Sequence, residues 1–238
     1  METCYKEKPE NMHTSDESGC LYCGKEKPQY LEGECLENRT AFCSDDCSRL
    51  HNRKTYPAEY LMAHGFPQRY INCSFDNYEV SPENKKAVDK LKSIEVLTES
   101  VFITGSVGSG KTHLTAALVS KISLTQMDAP LFRSAYQIIN ELKASFEKIQ
   151  ENELFVLNKY TRGHILIIDD IGIERLSDYA IQSWYTIIDS RYAHCFPTII
   201  TSNLSLEDVS KKIGDRIASR LASGIVIKLT GDDYRLKV

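Results

Sequence analysis

Residues 101–112 read Val-Phe-Ile-Thr-Gly-Ser-Val-Gly-Ser-Gly-Lys-Thr, a β-branched and aromatic run that breaks into Gly105-x-x-Gly108-x-Gly110-Lys111-Thr112. Leu114, Leu118 and Ile122 follow at helical spacing, so the glycines stand between a strand and a helix. That setting separates a phosphate-binding loop from a chance match. The backbone through Gly105, Ser106, Val107, Gly108, Ser109 and Gly110 can curl until several N–H groups face a β- and γ-phosphate. The helix opening at Lys111, Thr112 and His113 then adds its positive end. Lys111 can reach the terminal phosphates and the Thr112 hydroxyl can hold Mg²⁺. The chain is therefore expected to bind a nucleoside triphosphate.

A second run, His164-Ile-Leu-Ile-Ile168, has the continuous apolar character of a strand buried on both faces and ends in Asp169-Asp170. Two carboxylates at the end of a central strand are costly unless something cationic lies beside them. With a phosphate loop nearby, Asp169 is expected in the Mg²⁺ shell and Asp170 to orient or deprotonate the attacking water. A third run, Pro197-Thr-Ile-Ile-Thr201, ends in Ser202-Asn203. Its amide lands where it can position that water, although Asn after a strand is by itself usually a turn residue.

The 238 residues are 42% apolar and 26% charged, which suits a soluble globular protein. There is no apolar stretch of about 18 residues, so no membrane contact is expected and the predicted location is cytoplasmic. Six of eight cysteines fall in the first 47 residues. Residues 1–60 carry 8 Lys and Arg against 12 Asp and Glu, and the remainder 21 against 21. These asymmetries predict an N-terminal module over 1–60 whose first 18 residues are disordered, a linker over 61–80, and an ATPase domain over 81–238.

The module carries a metal-site spacing. Cys20-x₂-Cys23-Gly24 forms a knuckle, and Cys43-x₃-Cys47 supplies a second pair after nineteen intervening residues, enough for a four-thiolate zinc tetrahedron. Ser44 is a helix N-cap with Asp45 and Asp46 in the first turn, so the second pair sits where a turn enters a helix. A module this small, with few large aliphatics, gains its missing stability from Zn²⁺. Disulfides are the alternative in an oxidising compartment, and Cys35 and His51 are spare ligands.

Elsewhere, Ser81-Pro82-Glu83 predicts a helix start with Val88, Leu91 and Ile94 on its apolar stripe. A strand is expected over 129–133, then a helix over Ala135–Glu147 with Ile138, Ile139, Leu142 and Phe146 inward, and a short helix near 152–160. A longer helix over 178–194 places Ile181, Trp184, Tyr185, Ile188 and Tyr192 on one face, and Ile225–Leu229 is the last strand. Five strands alternating with helices predict an α/β fold with a mostly parallel sheet covered on both sides.

In this order, the chain from about residue 66 onward resembles the AAA+ ATPases of the DnaC/DnaI helicase-loader and IstB transposition-helper group. Phe66–Tyr78 is similar to the group's lead-in segment, Gly105–Thr112 to its Walker A loop, and Ile165–Gly172 to its Walker B strand. Thr201-Ser202-Asn203 is similar to its sensor 1, and Gly214-Asp-Arg216-Ile-Ala-Ser-Arg220-Leu to its arginine-finger box. The resemblance implies ATP and Mg²⁺ as ligands and an ATP-dependent oligomer in which Arg220, with Arg216 close by, reaches a neighbour's nucleotide. A guanidinium suits that position, being permanently charged beside a γ-phosphate.

Two departures qualify what the resemblance implies. Asp170 stands where most AAA+ proteins have Glu, which predicts slow hydrolysis stimulated by assembly or DNA. Fewer than ten residues follow the last strand, so there is no room for a C-terminal helical lid, and Arg235 is the sole late candidate for its sensor arginine.

Within the group, the cysteine module points to a loader that delivers a DnaB-type replicative helicase onto single-stranded DNA. A transposition helper acting on duplex DNA and a nucleotide-gated adaptor with little turnover are the alternatives. A net charge of −4 and a pI near 5.9 exclude global attraction to nucleic acid, leaving Lys143, Lys148, Lys159 and Arg162 as local candidates.

Overall fold

A computed structural model of the chain describes residues 51, 53–125, 129–147, 153–163, 165–172, 177–231 and 233–236. The chain divides into two units, Met1–Asn52 and Arg53–Val238. Cys20, Cys23, Cys43 and Cys47, expected to hold zinc, and the tail expected to be disordered, lie outside the described residues, as do Cys35 and Lys148.

The second unit is built on five strands, β1 (Val101–Gly105), β2 (Pro130–Ser134), β3 (Ile165–Asp169), β4 (Thr198–Ser202) and β5 (Ile225–Leu229). They pair in the order β2-β3-β4-β1-β5, and every pairing is parallel. The expectation of a mostly parallel sheet is met by a sheet that is parallel throughout.

Because side chains alternate across a strand, the sheet sorts its residues onto two cores. Val101, Ile103, Ile165, Ile167 and Ile199 face one, with Leu61, Val88, Leu91, Leu114 and Leu118 from α1 (Pro57–Ala63), α2 (Lys85–Lys92) and α3 (Lys111–Ile122). Phe102, Leu166, Ile168 and Ile200 face the other. There they meet α4 (Ala135–Glu147), α5 (Glu153–Thr161), α6 (Asp178–Ala193), α7 (Leu206–Ile213) and α8 (Asp215–Ala222). Serine caps open two of these helices: Ser177 accepts from the Ala180 N–H in α6, and Ser205 from the Asp208 N–H in α7.

Several expected boundaries move. Arg53 and the first turn of α1, counted with the N-terminal module in the sequence, and the rest of α1, counted with the linker, belong to the second unit. Leu61 is fully buried in its core and Arg53 donates to the Ser123 carbonyl at 3.1 Å. Residues Pro82–Asn84 form a turn, closed by the Asn84 N–H on the Ser81 carbonyl at 3.0 Å, and α2 starts at Lys85. Asn84, buried at the junction, gives its side chain to the backbone of Thr230, donating to the carbonyl at 2.8 Å and accepting the N–H at 2.9 Å. It thereby fastens α2 to the end of β5.

The apolar stripe of α6 is also rotated from the one expected. Trp184 and Ile188 are buried together with Ala180, Ile187 and Arg191, whereas Tyr192 is 54% exposed. Arg191 is the reason the stripe can end on a charge: its guanidinium donates to Thr198 Oγ1 and to the carbonyls of Tyr160, Gly163 and Pro197 at 2.7–3.1 Å. Burial brings it down to about 10, and the acceptors hold the amino ends of β3 and β4 against α6. After β5 the described residues hold one short 3₁₀ turn, Tyr234–Leu236.

Candidate nucleotide site

The glycine-rich loop leaves β1 at its carboxyl end and enters α3 through Gly110, whose φ of 86° is open to glycine at little cost. A Cβ there would also fall 2.5 Å from Tyr78 Cε2, so the position excludes side chains twice over. Tyr78 closes on the loop for a reason: its hydroxyl donates to the Ser109 carbonyl at 3.0 Å, and its ring meets that of His113 edge-on at 5.4 Å. His113 Nε2 lies 2.9 Å from the Ser74 carbonyl. The segment before α2 is thus tied to the loop rather than passing it as a linker.

Lys111 is buried at the start of α3, and its ammonium donates to the carbonyls of Gly105 at 3.1 Å and Ser106 at 2.8 Å, and to Asn203 Oδ1 at 2.5 Å. Burial lowers its pKa below the usual lysine range, and the Asp170 and Asp169 carboxylates oppose that shift. Asp169 Oδ1 accepts the hydroxyls of Thr201 at 2.7 Å and Thr112 at 3.0 Å. Burial raises its pKa above the usual carboxylate range, and the Thr201 hydrogen bond opposes it. Asp170 adopts φ 59°, and its N–H donates to Thr201 Oγ1 at 2.9 Å, which turns the chain sharply as β3 ends.

The carboxyl ends of β1, β3 and β4 therefore bring Lys111, Thr112, Asp170 and Asn203 to one cavity of about 410 Å³, with Asp169 set behind it against the Thr112 hydroxyl. Arg69, Tyr70 and Cys73 line its other wall. The C-terminal segment also reaches it: Ser106 donates to the Gly231 carbonyl at 2.8 Å, the Tyr234 N–H donates to the Gly108 carbonyl at 3.2 Å, and Arg235 lines the cleft. A Cβ on Gly108 would collide with the Asp233 carboxylate, so this segment rests directly on the loop. Sequence reasoning passed over Thr201, Tyr78 and Tyr234 as individual site residues, because each acts through a partner far away in the chain.

The residues fit a magnesium nucleotide. A buried ammonium faces the loop, Ser109 Oγ is buried without a hydrogen-bond partner among the described residues, and Thr112 and Asp169 offer the hard oxygens that Mg²⁺ prefers. Arg216 and Arg220 stand apart from this cleft on α8. Arg220 is ion-paired to Asp189 of α6, and Arg216 lies over the Tyr185 ring. Among the DNA candidates, Lys143 and Arg162 are exposed, but Lys159 is held by Glu141 at 2.7 Å. Lys159 and Arg162 line a groove with His64 and Pro130, at the amino ends of β2 and β3, opposite the nucleotide cleft.

Comparison with known proteins agrees with this architecture. The sequence pattern of the IstB-like ATP binding proteins matches residues 46–238. The replicative helicase loader DnaC of Escherichia coli K12 is 29% identical over 181 residues, which cover 73% of this chain and 74% of DnaC. A crystal structure of the DnaC helicase loader superposes with a TM-score of 0.61 at 25% identity, over 68% of this chain and 99% of that one. The crystal structure of DnaI shares the fold at 21% identity, with a TM-score of 0.56 over 71% of this chain and 94% of its own.

Proposed function

The chain belongs to the family of IstB-like ATP binding proteins, with an AAA+ phosphate-loop core, and we propose that it is an ATP-dependent loader of a hexameric replicative helicase onto single-stranded DNA. The observation that carries this reading is the convergence of Lys111, Asp169, Asp170 and Asn203 at the carboxyl ends of three adjacent strands, in a chain similar along most of its length to a helicase loader.

In this reading the loop amides and Lys111 take the β- and γ-phosphates, and Thr112 and Asp169 would hold Mg²⁺, which would supply charge screening to the phosphates. Lys111 is already desolvated, so its charge acts at full strength on an anion that replaces Asn203 Oδ1 beside it. Asn203, once released, is in reach of the attacking water. Asp170 orients or deprotonates that water, and its short side chain supports slow turnover that rises on assembly. Arg220, with Arg216 beside it, completes the site of a neighbouring subunit. The Cys20, Cys23, Cys43 and Cys47 thiolates hold one zinc in the N-terminal module, which grips the helicase.

Mixing the full chain with the hexameric replicative helicase of its own cell and following the complex by size-exclusion chromatography tests this function. A stable complex that deposits the helicase on single-stranded DNA only with ATP is expected. Absence of a complex, alongside stimulation of a transposase on duplex DNA, would transfer the assignment to a transposition helper, the reading favoured by the family's own name.

A further inference from the structure

Arg220 is held inside its own subunit at every group but one. One terminal nitrogen is ion-paired to the Asp189 carboxylate, and the other donates to the Arg216 carbonyl at 3.1 Å, one turn back in α8. The guanidinium lies between two tyrosine rings of α6, 5.4 Å from the centre of Tyr185 and 5.7 Å from that of Tyr192. Only 21% of the side chain is exposed, and Nε is buried with no hydrogen-bond partner among the described residues. This burial explains why Tyr192 departs from the apolar stripe of α6: it stands over a cation instead of joining the core.

A guanidinium donates to a phosphate through a fork of two nitrogens, and here each terminal nitrogen already gives one of its two N–H groups to its own subunit. With most of the side chain covered against α6, gripping a neighbour's nucleotide means leaving Asp189. We infer that Asp189 is a stowing counter-ion: it keeps Arg220 folded onto α6 in the free subunit, and releases it only when a more strongly charged acceptor arrives. This rests on the proposal that Arg220 acts across a subunit boundary.

Charge decides the exchange. Asp189 offers a single negative charge and is 37% exposed, so water and salt weaken its hold. A triphosphate at a closed interface offers several charges away from bulk water, where each counts for more. The tyrosine rings remain as a guide along which the guanidinium swings while its charge stays covered. Subunit contact without a triphosphate leaves Arg220 where it is, and hydrolysis thereby depends on a loaded neighbour.

Asp189→Asn in the full chain tests this, with ATPase rate measured against protein concentration. Loss of a half-exposed ion pair is expected to lower the concentration for half-maximal rate about two- to five-fold, while the plateau rate is kept. Tyr192→Ala, which removes a covering ring and no charge, is expected to shift the midpoint in the same direction and carries the test if Asp189→Asn fails to fold. A midpoint that stays or rises, or a lower plateau in a folded protein, overturns the stowing role. Arg220→Ala separates the two layers: if it hydrolyses like the parent, the finger itself is wrong, whereas if it is inactive and the Asp189 midpoint is unmoved, only the counter-ion is wrong.

Discussion

The Thr201 hydroxyl donates to Asp169 at 2.7 Å and accepts the Asp170 N–H at 2.9 Å, so one side chain on β4 sets both carboxylates at the end of β3. Asp170 holds φ 59° as β3 ends, and that N–H keeps a hydrogen-bond partner on β4. Thr201→Val keeps the shape and removes the hydroxyl. We expect a stability loss of about 1–3 kcal/mol, since a buried N–H and a carboxylate each lose a partner. ATP affinity should change little, and hydrolysis should fall roughly tenfold or more as Asp170 loses its orientation. Thermal melts and steady-state ATPase rates check the two halves separately.

The pH dependence of nucleotide binding follows from two opposed shifts. Asp169 is raised by burial, so it protonates above the usual carboxylate range and magnesium-ATP affinity declines there as pH falls. Lys111 is lowered by burial, so it loses its proton below the usual lysine range and affinity declines there as pH rises. The stability sign for Asp169 is the reverse of its functional sign. A carboxyl whose folded pKa is raised stabilises the fold while protonated and loses that contribution as pH rises through the folded pKa. Asp169→Asn, which still accepts from both hydroxyls, should therefore raise the melting temperature of nucleotide-free protein at pH 7. It should also weaken magnesium-ATP binding. A melting temperature below the parent's would show that the ionised carboxylate is stabilising.

Mixing two inactive variants tests the shared site. Lys111→Ala loses the ammonium that faces the phosphates and should bind ATP poorly, and Arg220→Ala should bind normally and hydrolyse poorly. Together they form some interfaces with an intact loop opposite an intact finger, and activity should partly return. Co-assembly without any recovery counts against action in trans.

The division of labour between units is tested by truncation at Asn52, where the chain divides. Removing residues 1–52 should abolish helicase capture and leave ATP-dependent binding to single-stranded DNA. Removing residues 1–60 should in addition lower the melting temperature by several degrees. It takes away the first turn of α1 and the buried bond from Arg53 to the Ser123 carbonyl. Equal melting temperatures for the two truncations would make α1 dispensable.

Metal analysis addresses the cysteine module. The full chain should carry one zinc, and Cys20→Ser or Cys47→Ser should reduce occupancy well below one, while Cys35→Ser should not. Full occupancy in either of the first two variants removes the four-thiolate assignment.

What the sequence determined is what lies in consecutive residues. The phosphate loop was legible because glycines at fixed spacing between an apolar strand and a helical stripe answer a local backbone demand, as Gly110 at φ 86° illustrates. The parallel sheet was legible because Val101–Ile103, Ile165–Ile168 and Ile199–Ile200 are apolar without interruption, as buried strands tend to be. Asp169, Asp170 and Asn203 followed from where those runs stop. Tertiary structure alone decided the pairings that cross the chain. Asn84 and Thr230 are 146 residues apart, Thr201 and Asp169 are 32 apart, and Arg220 meets Asp189 across 31. No periodicity encodes such partners, because strand order and helix packing choose them. Tyr192 has the helical spacing of a core residue, yet it is exposed, with the Arg220 guanidinium of α8 lying over its ring.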